Sequence, residues 1–124
     1  MKMCMVVAFA GITAVFALAP VSSVPATGAD FSSGNYMLRH CEHYIATSAQ
    51  FDVWDGECGG TIATLTFLGK ALPEGFKTCP PKGHTNEQAA RVVVSYMQNN
   101  PQILNEPFRI LAMTALSQAW PCKP

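Results

Sequence analysis

The sequence has no excess of charge of either sign. Among its 124 residues, eight are lysine or arginine and eight are aspartate or glutamate, and charged residues make up only 13% of the chain. Proteins that bind nucleic acids or anionic membranes need a basic surface that attracts phosphate groups. The composition therefore argues against nucleic acid as a partner and, once the leader described below is removed, against a membrane.

Motifs that carry catalysis or redox chemistry are also missing. The chain contains no Cys-x-x-Cys pair, no Gly-x-Ser-x-Gly, no His-Glu-x-x-His, no Ser-x-x-Lys and no glycine loop that could cradle a phosphate. The first of these absences excludes a thioredoxin-like redox centre and a paired-cysteine zinc knuckle. We therefore expect a protein that is not an enzyme and that needs no cofactor.

The first residues have the pattern of a secretory signal peptide. Lys2 precedes an uncharged run over residues 3–19, and small residues follow it. The alternative is an uncleaved membrane anchor, but the run is short for a span and no basic cluster follows it. We expect a signal peptide over residues 1–26, with cleavage after Ala26 or as late as Ala29, and export of the chain.

Four cysteines remain after this leader: Cys41, Cys58, Cys79 and Cys122. An even number of cysteines in a short exported chain indicates two disulfides. Four cysteines allow three pairings, and their spacing alone does not choose between them.

Four stretches place apolar residues at the three- and four-residue steps of a helix. They run over about 32–48, 56–72, 85–99 and 102–119. Ser32 or Ser33 can cap the first helix, and Thr85, with Gln88 three residues on, can cap the third. The sequence thus predicts an all-α, four-helix domain over residues 30–122.

Pro107 and the short connections bear on the start of the fourth helix and on the arrangement of the helices. Pro107 lies in its first turns, so this helix is expected to begin at Asn105 or to bend at the proline. Short connections favour antiparallel packing of consecutive helices. This layout favours the pairs Cys41–Cys58 and Cys79–Cys122, which in the chain-entropy model stabilise the fold by about 3 and about 4 kcal/mol.

Residues 38–45 bring two histidines and a cysteine together. On a helix His40 and His43 lie one turn apart and could share a metal ion, with His84 as a further ligand. Cys41, once oxidised, cannot act as a thiolate ligand or as a nucleophile. We expect histidines that face solvent or form hydrogen bonds, and no metal site.

Asp52, Asp55 and Glu57 form a small acidic cluster beside Trp54. A carboxylate pair for acid–base catalysis is the alternative, but no clear partner for it is present. We interpret the cluster as a solvated loop between helices.

The order of the landmarks resembles the Rap/Tai family of type VI secretion immunity proteins. The chain has an F-x-x-G start before its first mature cysteine, a C-x-G turn, a C-x-P loop, a threonine–glutamine helix cap, a V-x-x-Y-x-x-x-x-P segment and an aromatic-Pro-Cys end. The matching residues are Phe31, Gly34, Cys41, Cys58, Gly60, Cys79, Pro81, Thr85, Gln88, Val93, Tyr96, Pro101, Ala115, Leu116, Trp120, Pro121 and Cys122.

The resemblance implies a periplasmic, non-enzymatic protein, in many relatives a homodimer, that inhibits a peptidoglycan amidase delivered by type VI secretion. A helical scaffold would place a loop in the active-site cleft of the amidase. The candidate contact residues are Asp52, Trp54, Gln98, Asn99, Asn100 and Gln102. Trp54 is the strongest of them because large aromatic residues anchor interfaces.

Two functions of other classes stay open. One is a metal carrier that uses His40, His43 and His84, and elemental analysis of protein purified without a His tag would test it. A small, disulfide-linked helical protein could instead act as a periplasmic stress or chaperone-like binding protein without toxin specificity. Binding of a hydrophobic dye at low pH would favour it.

Overall fold

The structure of the protein is a computed structural model that describes residues 29–46 and 50–124. The helices are α1 (Gly34–Ile45), α2 (Val53–Leu68), α3 (Asn86–Asn99) and α4 (Phe108–Ala119), with short 3-10 turns at Gly69–Ala71 and Pro101–Ile103. No β-strand occurs among the residues described. The predicted all-α, four-helix fold is confirmed; the predicted signal peptide over residues 1–26 lies outside the described residues.

Side-chain caps set the starts of the first three helices. The hydroxyl of Ser33 accepts a hydrogen bond from the Tyr36 amide, and that of Thr85 accepts one from the Gln88 amide, as the sequence predicts. The start of α2 is different, because this helix begins at Val53 and not near residue 56. Asp52 caps it.

The fourth helix begins at Phe108, later than the sequence predicts. Pro107 occupies the N-cap position with φ near −58°, and residues 101–103 form a separate 3-10 turn. A proline has no amide hydrogen to donate within a helix, so it is best placed where the helix starts.

Two disulfides connect the helices, as expected. They join Cys41 to Cys58 and Cys79 to Cys122, the pairs that the helix layout favours. The first links α1 to α2, and the second links the segment before α3 to the segment after α4.

Where α1 and α2 are in contact, the two helices run in the same direction. Trp54, at the start of α2, lies against Tyr36 near the start of α1, and Gly59 further along α2 lies against Tyr44 near the end of α1. The expected antiparallel packing of these two helices is therefore wrong. By contrast, α3 and α4 run antiparallel, since His84 before α3 lies beside Trp120 after α4.

Every helix contributes to one apolar core. Its buried members are Met37, Cys41, Cys58, Ile62, Leu65, Leu72, Ala89, Ala90, Val93, Val94, Met97, Phe108, Leu111, Ala112, Ala115 and Leu116. Among the described residues, no helix is long and apolar enough to cross a lipid bilayer.

Three helices meet at Gly59. A Cβ atom at this position would lie only 2.4 Å from the ring of Tyr44. The amide nitrogen of the Asn86 side chain donates to the Tyr44 hydroxyl at 2.8 Å and to the Gly59 carbonyl at 2.9 Å. The absence of a side chain at Gly59 thus allows α1, α2 and the start of α3 to pack closely.

Adjacent glycines of α2 provide a test of this packing. We expect Gly59→Ala to lower the free energy of unfolding by about 1–3 kcal/mol, because the methyl group forces Tyr44 away from Asn86. Gly60→Ala should raise it by about 0.5–1 kcal/mol, because alanine is the better helix residue and nothing lies within 4 Å of its Cβ. Urea denaturation measures both; equal effects would contradict the close contact.

Candidate binding surface at the start of the second helix

Two aspartates build the first turn of α2. One carboxylate oxygen of Asp52, Oδ1, accepts hydrogen bonds from the amides of Trp54 at 2.8 Å and Asp55 at 2.9 Å. The Asp55 carboxylate in turn accepts one from the Asp52 amide at 3.0 Å, through Oδ2. This reciprocal capping box satisfies amides that a helix start leaves without partners.

Asp55 also ties α2 to α1. Its side chain is fully buried. His43 Nδ1 lies 2.5 Å from Asp55 Oδ2, and His40 Nδ1 lies 3.3 Å from Asp55 Oδ1. A buried carboxylate is tolerated only where such partners surround it. The interpretation of residues 52–57 as a solvated loop is therefore wrong for Asp55.

The surroundings of Asp55 favour its charged form. Burial by itself raises the pKa of this carboxyl group. Hydrogen bonds from the Asp52 amide, from His43 and from His40, together with the charge of His43, oppose burial and hold the pKa below its ordinary value of 3.8. The carboxylate is thus ionised at neutral pH.

An aromatic cluster covers this network on its outer side. The ring of Trp54 stacks on Phe31, with centroids 5.2 Å apart and planes 13° apart, and meets Tyr36 edge-on at 5.2 Å. Tyr36 in turn lies 4.9 Å from the ring of His40. Trp54 is therefore held in one orientation by neighbours on two sides.

Phe31 reaches α2 because its segment pairs with the start of α4. The Phe108 amide donates to the Ser32 carbonyl at 2.7 Å, and the Gly34 amide donates to the Glu106 carbonyl at 3.0 Å. These bonds hold the segment before α1 between α2 and α4.

A cavity of about 200 Å³ opens between Phe31, Trp54 and the start of α4. Arg109 and Glu57, also among its lining residues, form an ion pair at 2.6 Å. Phe51 and Val53, on either side of Asp52 in the sequence, are exposed by 61% and 76%, and Phe31 is exposed by 50%. The ring of Phe51 lies 6.4 Å from the ring of His43 and 6.0 Å from that of Tyr44. We refer to Phe31, Phe51, Val53 and Trp54, the apolar residues around the start of α2, as the aromatic surface. Several exposed apolar side chains in one region make that region a candidate protein-binding site.

The other predicted contact residues form a second group at the end of α3. Gln98 donates to the Glu42 carboxylate of α1 at 2.7 Å, and Asn100 donates to the Tyr96 carbonyl at 2.8 Å. Asn99 and Gln102 are exposed. This group contacts α1 at Glu42, whereas the first turn of α2 contacts α1 at His40 and His43.

Sequence reasoning found Asp52 and Trp54 but missed three members of the aromatic surface and the role of Asp55. The Asp-x-x-Asp spacing of residues 52 and 55 is the local signal that could have revealed the capping box. The partnership of Asp55 with α1 has no such signal, because it depends on tertiary packing.

Comparison with known proteins assigns the family. The family model of Rap1a immunity proteins matches residues 27–122. The chain belongs to this family. Searches of curated proteins and of solved structures found no match.

Membership makes the chain an immunity protein that acts against a toxin. A family of immunity proteins implies a non-catalytic inhibitor, in agreement with the expectation from the missing motifs. The aromatic surface is accordingly a candidate for toxin binding.

The lowered pKa of Asp55 predicts a pH dependence of stability. Because its pKa is lower in the folded than in the unfolded chain, its contribution is present above pH 3.8 and is lost as the pH falls through the folded value. We expect Asp55→Asn to cost about 2–4 kcal/mol at neutral pH.

The same cost should shrink as the pH falls below 3.8, because Asp55 of the unfolded wild-type chain then takes up a proton, and it should be smallest once the folded carboxyl group is protonated too. Urea denaturation of both proteins between neutral and acidic pH measures the difference, in which the other carboxylates cancel. A difference that stays constant with pH would contradict the buried charge.

Proposed function

We propose that this immunity protein acts in the periplasm and neutralises a peptidoglycan amidase delivered by type VI secretion. It binds the amidase and covers the active-site cleft, so that the cell-wall substrate is excluded. Inhibition of this kind requires a rigid, complementary surface and no chemistry by the inhibitor. The family match supports this proposal, since it covers the whole of the described domain.

The disulfides support a location outside the cytosol. Both bonds are distant in sequence, with separations of 17 and 43 residues, and such crosslinks persist in oxidising compartments. The predicted signal peptide agrees with this location. The homodimer that the family resemblance implies stays a prediction, which light scattering on the purified protein tests.

The aromatic surface is the strongest candidate for contact with the toxin. Trp54 is already fixed between Phe31 and Tyr36, so little side-chain freedom is lost when a partner covers it. Phe51 and Val53, three residues and one residue away in the sequence, add exposed apolar side chains around the start of α2. Large aromatic side chains held in this way carry most of the binding energy in many interfaces. Asp52 and the exposed amides of Gln98, Asn99 and Gln102, with Asn100 between them, are proposed as polar contacts.

A single substitution tests the aromatic surface. We expect Trp54→Ala to weaken inhibition of the amidase encoded by a neighbouring gene by at least about tenfold, which corresponds to the loss of one anchor residue. Phe67→Ala is the matched control, because Phe67 is 89% exposed and lies at the opposite end of α2. It should leave inhibition unchanged.

Inhibition is measured as the protein concentration needed to halve amidase activity, and binding by calorimetry. Thermal unfolding of both variants separates a loss of contact from a loss of fold. Phe51→Ala is a second test, since the exposed ring of Phe51 is not part of the core. If Trp54→Ala and Phe51→Ala both inhibit like wild type, the aromatic surface is not the binding site. If wild type does not inhibit the amidase at all, the amidase assignment fails.

Export and oxidation are tested by intact mass. Protein isolated from the periplasm should lack residues 1–26, or 1–29, and should be lighter by four hydrogens than the reduced chain. The two disulfides account for these hydrogens. A mass that retains the leader, or free thiols that react with iodoacetamide, would contradict the proposed location.

A further inference from the structure

Three potential metal ligands converge where α2 begins. Each aspartate of the capping box uses one carboxylate oxygen for the helix start and turns the other towards His40. Asp52 Oδ1 accepts the cap bonds, and Asp52 Oδ2 lies 3.4 Å from His40 Nδ1. Asp55 Oδ2 accepts from the Asp52 amide and faces His43, and Asp55 Oδ1 lies 3.3 Å from the same His40 Nδ1. From this arrangement we infer that His40, Asp52 and Asp55 form a binding site for a zinc ion.

The spacing of these atoms also fits the ligands of a metal ion. Nitrogen and oxygen ligands at about 2.0–2.2 Å from a tetrahedral zinc ion lie about 3.3–3.6 Å from one another. The two distances from His40 Nδ1 are 3.3 and 3.4 Å, longer than the usual 2.7–3.2 Å of an N–H···O bond. The three ligand atoms all lie within 4.8 Å of one another.

His43 has a different place in the site. Its Nδ1 is hydrogen-bonded to Asp55 Oδ2 at 2.5 Å, so this pair of atoms is engaged with each other and not with the ion. His43 therefore acts as a positioning residue that holds the carboxylate of Asp55. Contacts of this kind orient metal ligands in many proteins.

The ring nitrogen of His40 that would bind the ion is Nδ1. Its imidazole is buried, and Nε2 has no hydrogen-bond partner among the described residues. All polar neighbours of the ring therefore lie at Nδ1, on the side of the two carboxylates.

The ligand types at this site suit zinc, and the site is accessible from solvent. One imidazole nitrogen and two carboxylate oxygens are ligands that zinc accepts, with a water molecule in the fourth position. The side chain of Asp52 is 55% exposed, so the site opens to solvent. Among the described residues, these three are the set close enough to share an ion, and the set does not include His84.

The test is a titration of zinc chloride into the oxidised, untagged full protein after dialysis against a chelator. We expect one zinc ion per chain by calorimetry and by native mass spectrometry. Asp52→Asn should weaken binding by at least about tenfold, and because asparagine caps a helix as well as aspartate does, the fold is preserved. His40→Gln should have the same effect, and His43→Gln a smaller one.

His84→Gln is the matched control, because His84 lies beside Trp120 and away from the site. It should leave zinc affinity unchanged. Cobalt(II) should give the visible absorption of a tetrahedral site in wild type and lose it in Asp52→Asn. The inference is overturned if wild type binds no zinc in large excess of the ion, or if His84→Gln abolishes binding while His40→Gln and Asp52→Asn do not. No toxin is needed for these measurements, so their outcome is independent of the proposed function.

Discussion

The buried carboxylate of Asp55 is the interaction on which the arrangement of the first two helices depends. It closes the capping box of α2 and, at the same time, meets two histidines of α1. A charge without partners in the protein interior costs several kcal/mol, so any relative placement of α1 and α2 that separates these groups is strongly disfavoured. The Cys41–Cys58 bond then fixes the same pair of helices one turn further along.

This arrangement explains why an exposed aromatic surface can be stable in so small a domain. Trp54 lies within the capping box, between Asp52 and Asp55, so hydrogen bonds hold its backbone. Its ring is held by contacts with Phe31 and Tyr36. A surface that is ordered before binding loses little conformational entropy when a partner covers it. For an inhibitor that works, as proposed, by occupying a cleft, that order matters more than the identity of any reactive group.

Local signals in the sequence predict the helices but not how they meet. Thr85 and Ser33 cap their helices as expected, since a cap depends on residues within one turn. The valine-rich part of α3 is helical despite its strand-like residues, because its apolar stripe faces the core. The predicted antiparallel packing of α2 on α1 is wrong, because the direction of α2 depends on contacts of Asp55 with His43 and His40, which lie 12 and 15 positions away in the sequence. Nothing in the sequence near Asp55 indicates such partners.

The inferred zinc site and the proposed toxin-binding surface share the first turn of α2, and this has a thermodynamic consequence. Asp52 would hold zinc with one oxygen while its other oxygen fixes the amide of Trp54. If zinc makes that turn more rigid, the toxin binds a more ordered surface, and the factor by which zinc strengthens toxin binding equals the factor by which toxin strengthens zinc binding. Should toxin instead contact the free oxygen of Asp52 directly, the two would compete, and the sign of the coupling would reveal which face of Asp52 the toxin uses.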